Sequence, residues 1–136
     1  MTPDLNVHSF DPPRERSAPD SLSGYWSNGT DAVMALTRLT LLVAIKPNCD
    51  GCRAFLDAPL HEFEGVDVVF VAALDDDEWA GSSRRVLIAP DALDRLDVRW
   101  PPFYVLIDPL AHAVIREGVV FGPSQVAAEI AQFITR

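Results

Sequence analysis

The residues with evident chemistry are the chain's two cysteines, which stand as Cys49-Asp50-Gly51-Cys52 where an apolar run gives way to an amphipathic stretch. On the first turn of a helix, two thiols at this spacing are near enough to close a disulfide. The first of them meets the unpaired backbone N–H groups that stabilise a thiolate. A CxxC alone is a weak signal, and one placed between a buried strand and a helix is the signature of a redox dithiol. Two cysteines cannot supply four zinc ligands or a disulfide framework. Two thiolates in a turn do have the chemistry to hold Cu(I) or to share Zn²⁺. His8, His61 and His112 are the histidines available as a third ligand, and none falls within a few residues of the pair. A third reading is a buried, structural disulfide in a domain that only binds.

The elements that must position this dithiol follow from hydrophobic patterning. Residues 39–45, LTLLVAI, are a buried strand by length and composition, and Lys46-Pro47-Asn48 turns the chain into the cysteines. Phe55, Leu56, Leu60 and Phe63 fall at helical spacing, with Pro59 placed to kink or break that helix. Residues 67–74, DVVFVAAL, make a second buried strand, and the carboxylates of residues 75–78 are placed to cap a short helix carrying Trp79. The spaced ligands and central glycine of a calcium loop are absent there. VLIA at 86–89 reads as a short strand, Pro90-Asp91 as a helix start, and FYVLID at 103–108 as a third long strand. Residues 112–117 are its hairpin partner, and Gly122-Pro123-Ser124 opens a last helix with Val126, Ile130, Phe133 and Ile134 on one face. Residues 28–37, with Val33, Met34 and Leu36, are predicted to be a helix beginning at Asn28-Gly29-Thr30-Asp31. Residues 1–27 are predicted to be an extended or partly disordered arm. This order implies a mixed sheet with helices on both faces.

Composition narrows the partners. At 136 residues the chain suits one domain. A net charge of -9, with basic residues scattered apart from Arg14/Arg16 and Arg84/Arg85, opposes a polyphosphate surface, so nucleic acid is not expected as a partner. The longest apolar run is far short of the roughly 20 residues a membrane helix needs, and the N-terminus lacks the basic start and apolar stretch of a secretory signal. The expectation is a cytoplasmic protein, a reading that a chain trimmed of an export signal or membrane tether would share.

From residue 28 to residue 136 the chain resembles the thioredoxin-like fold family, and within it the TlpA-like thiol-disulfide reductases. The resemblance rests on LLVAIKPNCDGC as strand plus active-site turn, DVVFVAAL as the next strand, and LDVRWPPFYVLID as the approach to the cis-proline loop. The VLIA strand matches the insertion typical of TlpA-like proteins and peroxiredoxins, and the upstream Pro and Thr pattern of peroxiredoxins is missing. What the resemblance implies is an α/β domain with a mixed central sheet, helices on both faces and a C-terminal β-hairpin plus helix. It further implies thiol-disulfide exchange without a cofactor, Cys49 attacking and Cys52 resolving. Pro102 takes the cis-proline position against the dithiol, Trp100 and Pro101 belong to the substrate face, and the partners are a disulfide-bearing protein or small thiol and an electron donor. The alternatives are a non-enzymatic thioredoxin-like binding module and a copper-thiolate carrier.

Departures from the family pattern carry their own expectations. Val43 stands where thioredoxins carry a buried Asp, Asn48 where they carry Trp, and Asp-Gly where they carry Gly-Pro. The carboxylate of Asp50 opposes a thiolate on Cys49 and so modulates it, and Pro101 has no backbone N–H to offer an extended substrate. Arg53, immediately after Cys52, has the charge to steady a thiolate or else is a solvated helix residue, and the second is favoured because consecutive helix positions diverge by about 100°.

Overall fold

The computed structural model describes residues 9, 10 and 13–134, with side chains from residue 13. Its strands are β1 (Ser9–Phe10), β2 (Ser21–Trp26), β3 (Asp31–Ala35), β4 (Thr40–Ala44), β5 (Asp67–Ala72), β6 (Val86–Ile88), β7 (Phe103–Asp108) and β8 (Ala113–Val119). The α-helices are α1 (Asp50–Asp57), α2 (Pro90–Arg95) and α3 (Pro123–Ile130), with 3₁₀ turns at His61–Phe63, Asp77–Gly81 and Ala131–Phe133. Among the described residues the eight strands form one sheet in the order β1-β8-β7-β4-β5-β6-β2-β3.

The centre of that sheet is where the sequence is most continuously apolar. Every residue of β4 is buried, between a parallel β5 and an antiparallel β7, as a strand covered on both faces requires. Side chains alternate across the sheet. Leu41, Val43, Phe70, Val86, Tyr104 and Leu106 face a core shared with Cys52, Phe55 and Leu56 of α1 and Val126 and Ile130 of α3. On the other face Leu42, Ala44, Val71, Leu87 and Val105 pack with Ala92, Leu93 and Leu96, in and just beyond α2. Helices thus cover both faces, and the β7–β8 hairpin with α3 closes the chain. Pro59 acts as expected, since α1 stops at Asp57 and only a 3₁₀ turn follows.

Residues 28–37 correct the helix expected there. They hold the turn and second strand of an antiparallel β2–β3 hairpin, paired from Ser21↔Ala35 to Tyr25↔Asp31. The apolar spacing suited a helix, yet the side chains alternate with period two: Asp31, Val33 and Ala35 are exposed and Ala32 and Met34 half-buried. Asn28-Gly29 is a turn signal, and Gly29 takes φ +93 there. Gly24 of β2 is required by close approach, since a Cβ would lie 2.1 Å from the Ile88 carbonyl oxygen. The boundary expected between residues 27 and 28 falls inside this hairpin.

On the opposite edge the N-terminal segment runs along β8. β1 pairs with Gly118 and Glu117, Ser17 bridges to Ala113, and Ala18 N–H donates to the His112 carbonyl at 2.8 Å. Among the described residues no helix is long and apolar enough to cross a membrane.

Candidate active site

Strand register brings several loops to one end of the sheet. Val119 pairs with Phe103, Phe103 with Ala44, Ala44 with Val71 and Val71 with Leu87. Beyond that row lie the β4–α1 turn with Cys49, the Trp100-Pro101-Pro102 segment entering β7, the chain leaving β8 through Phe121, and the chain leaving β5 through Leu74. The Pro101–Pro102 peptide is cis, and Val120 N–H donates to the Pro102 carbonyl at 3.0 Å, tying that segment to the end of β8. Trp100 is 65% exposed, and Leu74 and Phe121 are exposed to a similar degree; Pro101 and Pro102 are half-buried.

At this end Cys49 and Cys52 are joined as a disulfide with their Cα atoms 5.3 Å apart. Cys49 is the N-cap of α1, extended at φ -130, ψ 110, and its Sγ accepts the Cys52 N–H at 3.2 Å. Sulfur therefore occupies the place of a capping oxygen, satisfying one of the free donors of the helix start. The pair is asymmetric: Cys49 is half-buried, whereas Cys52 is 1% exposed among the core side chains of α1. Val43 is fully buried in the same core, and its side chain neither gives nor accepts a proton. Asp50, the first residue of α1, is exposed.

The site holds a carboxylate that the sequence did not single out. Of the acidic run 75–78, Asp76 caps the 3₁₀ turn as expected, its Oδ1 accepting the Glu78 N–H at 2.9 Å. Glu78 turns instead toward the cysteines: Oε1 accepts the Asn48 N–H at 3.0 Å and Oε2 accepts from Arg53 Nη1 at 3.3 Å. Arg53 is thus paired, contrary to the solvated reading, although its side chain remains 48% exposed. One signal was available in the sequence: β5 had to run parallel to β4, so the loops following both strands share an end.

The histidines stay apart from the pair. His61 lies beyond the C-terminal end of α1, and His112 sits at the opposite end of the sheet with Nδ1 3.2 Å from Asp20 Oδ1. His8 lies outside the described residues. Among those described, no group of three or more His, Cys, Asp or Glu side chains converges as metal ligands would.

No protein-family model and no curated protein matches this sequence. Solved structures do. The chain superposes on the thioredoxin domain of a thiol-disulfide oxidoreductase from Bacteroides vulgatus with a TM-score of 0.65 at 16% identity, covering 88% of this chain and 96% of that one. A DsbF homologue from Corynebacterium diphtheriae gives a TM-score of 0.65 at 13% identity over 98% and 97% of the two chains. A thiol:disulfide interchange protein of the thioredoxin family from Chlorobium tepidum gives 0.62 at 15% identity, over 88% and 97%. At such identities the likeness is one of architecture. The chain has the thioredoxin fold, with a CxxC disulfide at the end of its central strand.

Proposed function

We propose that this protein is a thiol-disulfide oxidoreductase that exchanges the Cys49–Cys52 dithiol with the disulfide of a protein or small molecule. The observation that carries this reading is the asymmetry of the pair: Cys49 is half-buried at a helix N-terminus, and Cys52 is buried in the core. In the reduced protein the Cys49 thiolate attacks a substrate sulfur, forming a mixed disulfide and releasing one substrate thiolate. Cys52, on losing its proton to water, then attacks Cys49 Sγ, which closes the intramolecular disulfide and releases the second thiolate. The released thiolates take up protons, and a second dithiol returns the two electrons. The same steps in reverse make the disulfide an oxidant.

Trp100, Pro101 and Pro102 serve as the substrate face in this reading. An extended substrate docks beside such a segment by main-chain pairing, and Pro101 cannot donate. Generic peptide disulfides are therefore poor substrates, and a dedicated partner or small disulfide is preferred. The exposed apolar side chains Leu74, Trp100 and Phe121 support a partner that covers apolar surface. Asp50 is the modulating group, its carboxylate opposing the neighbouring thiolate.

Iodoacetamide labelling of the dithiothreitol-reduced protein tests the roles. Cys49 is expected to alkylate far faster than Cys52, and Ellman titration to count two thiols only after reduction. A disulfide that resists reduction, or two thiols alkylating at equal rates, would instead indicate a structural cross-link in a binding module.

A further inference from the structure

Residues 76–84, between β5 and β6, hold α1 at both ends. At its C-terminal end Arg84 Nη1 donates to the Leu56 carbonyl at 2.5 Å, meeting a carbonyl that the helix itself leaves unpaired. Between them Trp79, 2% exposed, anchors the segment in the core that contains Cys52 and Phe55. At the N-terminal end stands Glu78, its own N–H fixed by Asp76 and its side chain only 17% exposed.

That one carboxylate ties the residue before Cys49 to the residue after Cys52. It accepts the Asn48 N–H and pairs with Arg53. Asn48 sits at φ +57, in the left-handed region, so the turn that delivers Cys49 has an uncommon backbone shape held from outside. Charged side chains come from the segments that meet the pair, the loop after β5 adding Asp75, Asp76 and Asp77. Lys46 belongs to the β4–α1 turn, Asp50 and Arg53 to α1, and Glu78 to the 3₁₀ turn; Arg53 Nε also lies 3.8 Å from Asp57 Oδ2. The segment Trp100-Pro101-Pro102 carries no charge, and Arg99 just before it is paired with Asp97 at 2.8 Å.

We propose, building on the oxidoreductase reading, that Glu78 is a positioning residue for the dithiol: it holds the Asn48–Cys49 turn and, by occupying Arg53, withholds that guanidinium from the Cys49 thiolate. A thiolate denied a cation is less stable, and destabilising the reduced form makes the couple more reducing. Glu78 and Arg53 thus set the redox poise from opposite sides.

The test uses glutathione as probe. One protein disulfide and two glutathione thiols give one protein dithiol and one glutathione disulfide; two electrons pass to the protein sulfurs, and the glutathione protons go to those sulfurs or to water. Glu78→Gln keeps an acceptor for Asn48 and loses the charge, Glu78→Ala loses both, and Arg53→Gln removes the cation. Relative to wild type, Glu78→Gln is expected to shift this equilibrium toward the dithiol by roughly 3- to 10-fold, the size of up to one unit of thiolate pKa. It also moves the pH midpoint of Cys49 alkylation downward. Arg53→Gln moves both readouts the other way. Glu78→Ala additionally lowers the preference of iodoacetamide for Cys49 over Cys52, which Glu78→Gln preserves. If both charge variants stay within twofold of wild type, or shift together in one direction, the proposal is wrong while the oxidoreductase reading stands. A wild-type disulfide that does not exchange with glutathione at all overturns both.

Discussion

Glu78 and Glu117 each join distant parts of the chain through arginine, and they differ in how much water they see. Glu117 of β8 is fully buried and accepts from Arg14 Nε at 3.0 Å and from Arg16 Nη1 at 3.1 Å. Arg14 reaches on to Asp97 at 3.0 Å, so the N-terminal arm, β8 and the approach to β7 meet in one network. Burial pushes the Glu117 pKa up, and hydrogen bonds from Arg14 and Arg16 outweigh it, leaving a value of about 2 against an ordinary 4.5. Glu78 keeps some contact with solvent and bonds to the residues flanking the Cys49–Cys52 disulfide. A carboxylate sealed in the interior is a folding element, because its charge is compensated there only by the arginines that reach it, here from the half-buried edge of the network. A pair at the surface adds little to stability, yet near a sulfur its field still biases which protonation state forms.

The largest effect expected from this contrast is at Glu117. Replacing Glu117 with Ala removes the carboxylate on which two guanidiniums converge and should cost about 3–5 kcal/mol in urea unfolding. Cys49 in the remaining folded protein should alkylate at the wild-type rate. A loss below about 1 kcal/mol would place Glu117 in the same class as Glu78 and remove the distinction. By contrast, Glu78→Gln should change stability by less than about 1 kcal/mol while moving the redox readouts.

Acid gives a second view of the same difference. With a folded pKa of about 2 against an ordinary 4.5, Glu117 contributes its full stabilisation above about pH 4.5 and loses it as pH falls toward 2. Wild-type stability should therefore decline across that window, and Glu117→Gln should flatten the decline. An equally steep decline in the variant would assign it to other carboxylates.

Smaller effects are expected on the proposed substrate face and at the helix start. Pro101→Ala restores one main-chain donor, a net hydrogen bond of about 0.5 to 1.5 kcal/mol, and should improve reduction of insulin disulfides roughly 2- to 13-fold without moving Cys49 alkylation. Insulin turnover unaffected by the change would show that substrates do not pair with this segment. Asp50→Asn should lower the pH midpoint of Cys49 alkylation by less than about one unit, since Asp50 is exposed and its field is screened. An unmoved or raised midpoint would mean that the carboxylate points away from the sulfur.

The buried strands and the dithiol were readable from local pattern. LTLLVAI, DVVFVAAL and FYVLID are apolar runs that only a covered sheet accommodates, and the cysteines follow the first of them. What escaped depends on contacts the pattern does not encode. The Val33, Met34 and Leu36 spacing is consistent with a helix, and only pairing with β2 makes residues 31–35 a strand. Arg14 and Arg16 meet Glu117 across about a hundred residues, and nothing local joins two arginines in an arm to a glutamate in a hairpin. Asp76 and Glu78 look alike in an acidic run, and their roles separate only when Trp79 is buried and the turn gains a fixed orientation.

Mixed-disulfide trapping with glutathione disulfide on the two reduced single-cysteine variants tests the central claim most directly. Cys52→Ser should accumulate a glutathione adduct on Cys49, visible as a mass increase that dithiothreitol reverses, while Cys49→Ser acquires little and wild type resolves to the Cys49–Cys52 disulfide. Equal adducts on both variants, or a preference for Cys49→Ser, would contradict the assignment of Cys49 as the attacking sulfur.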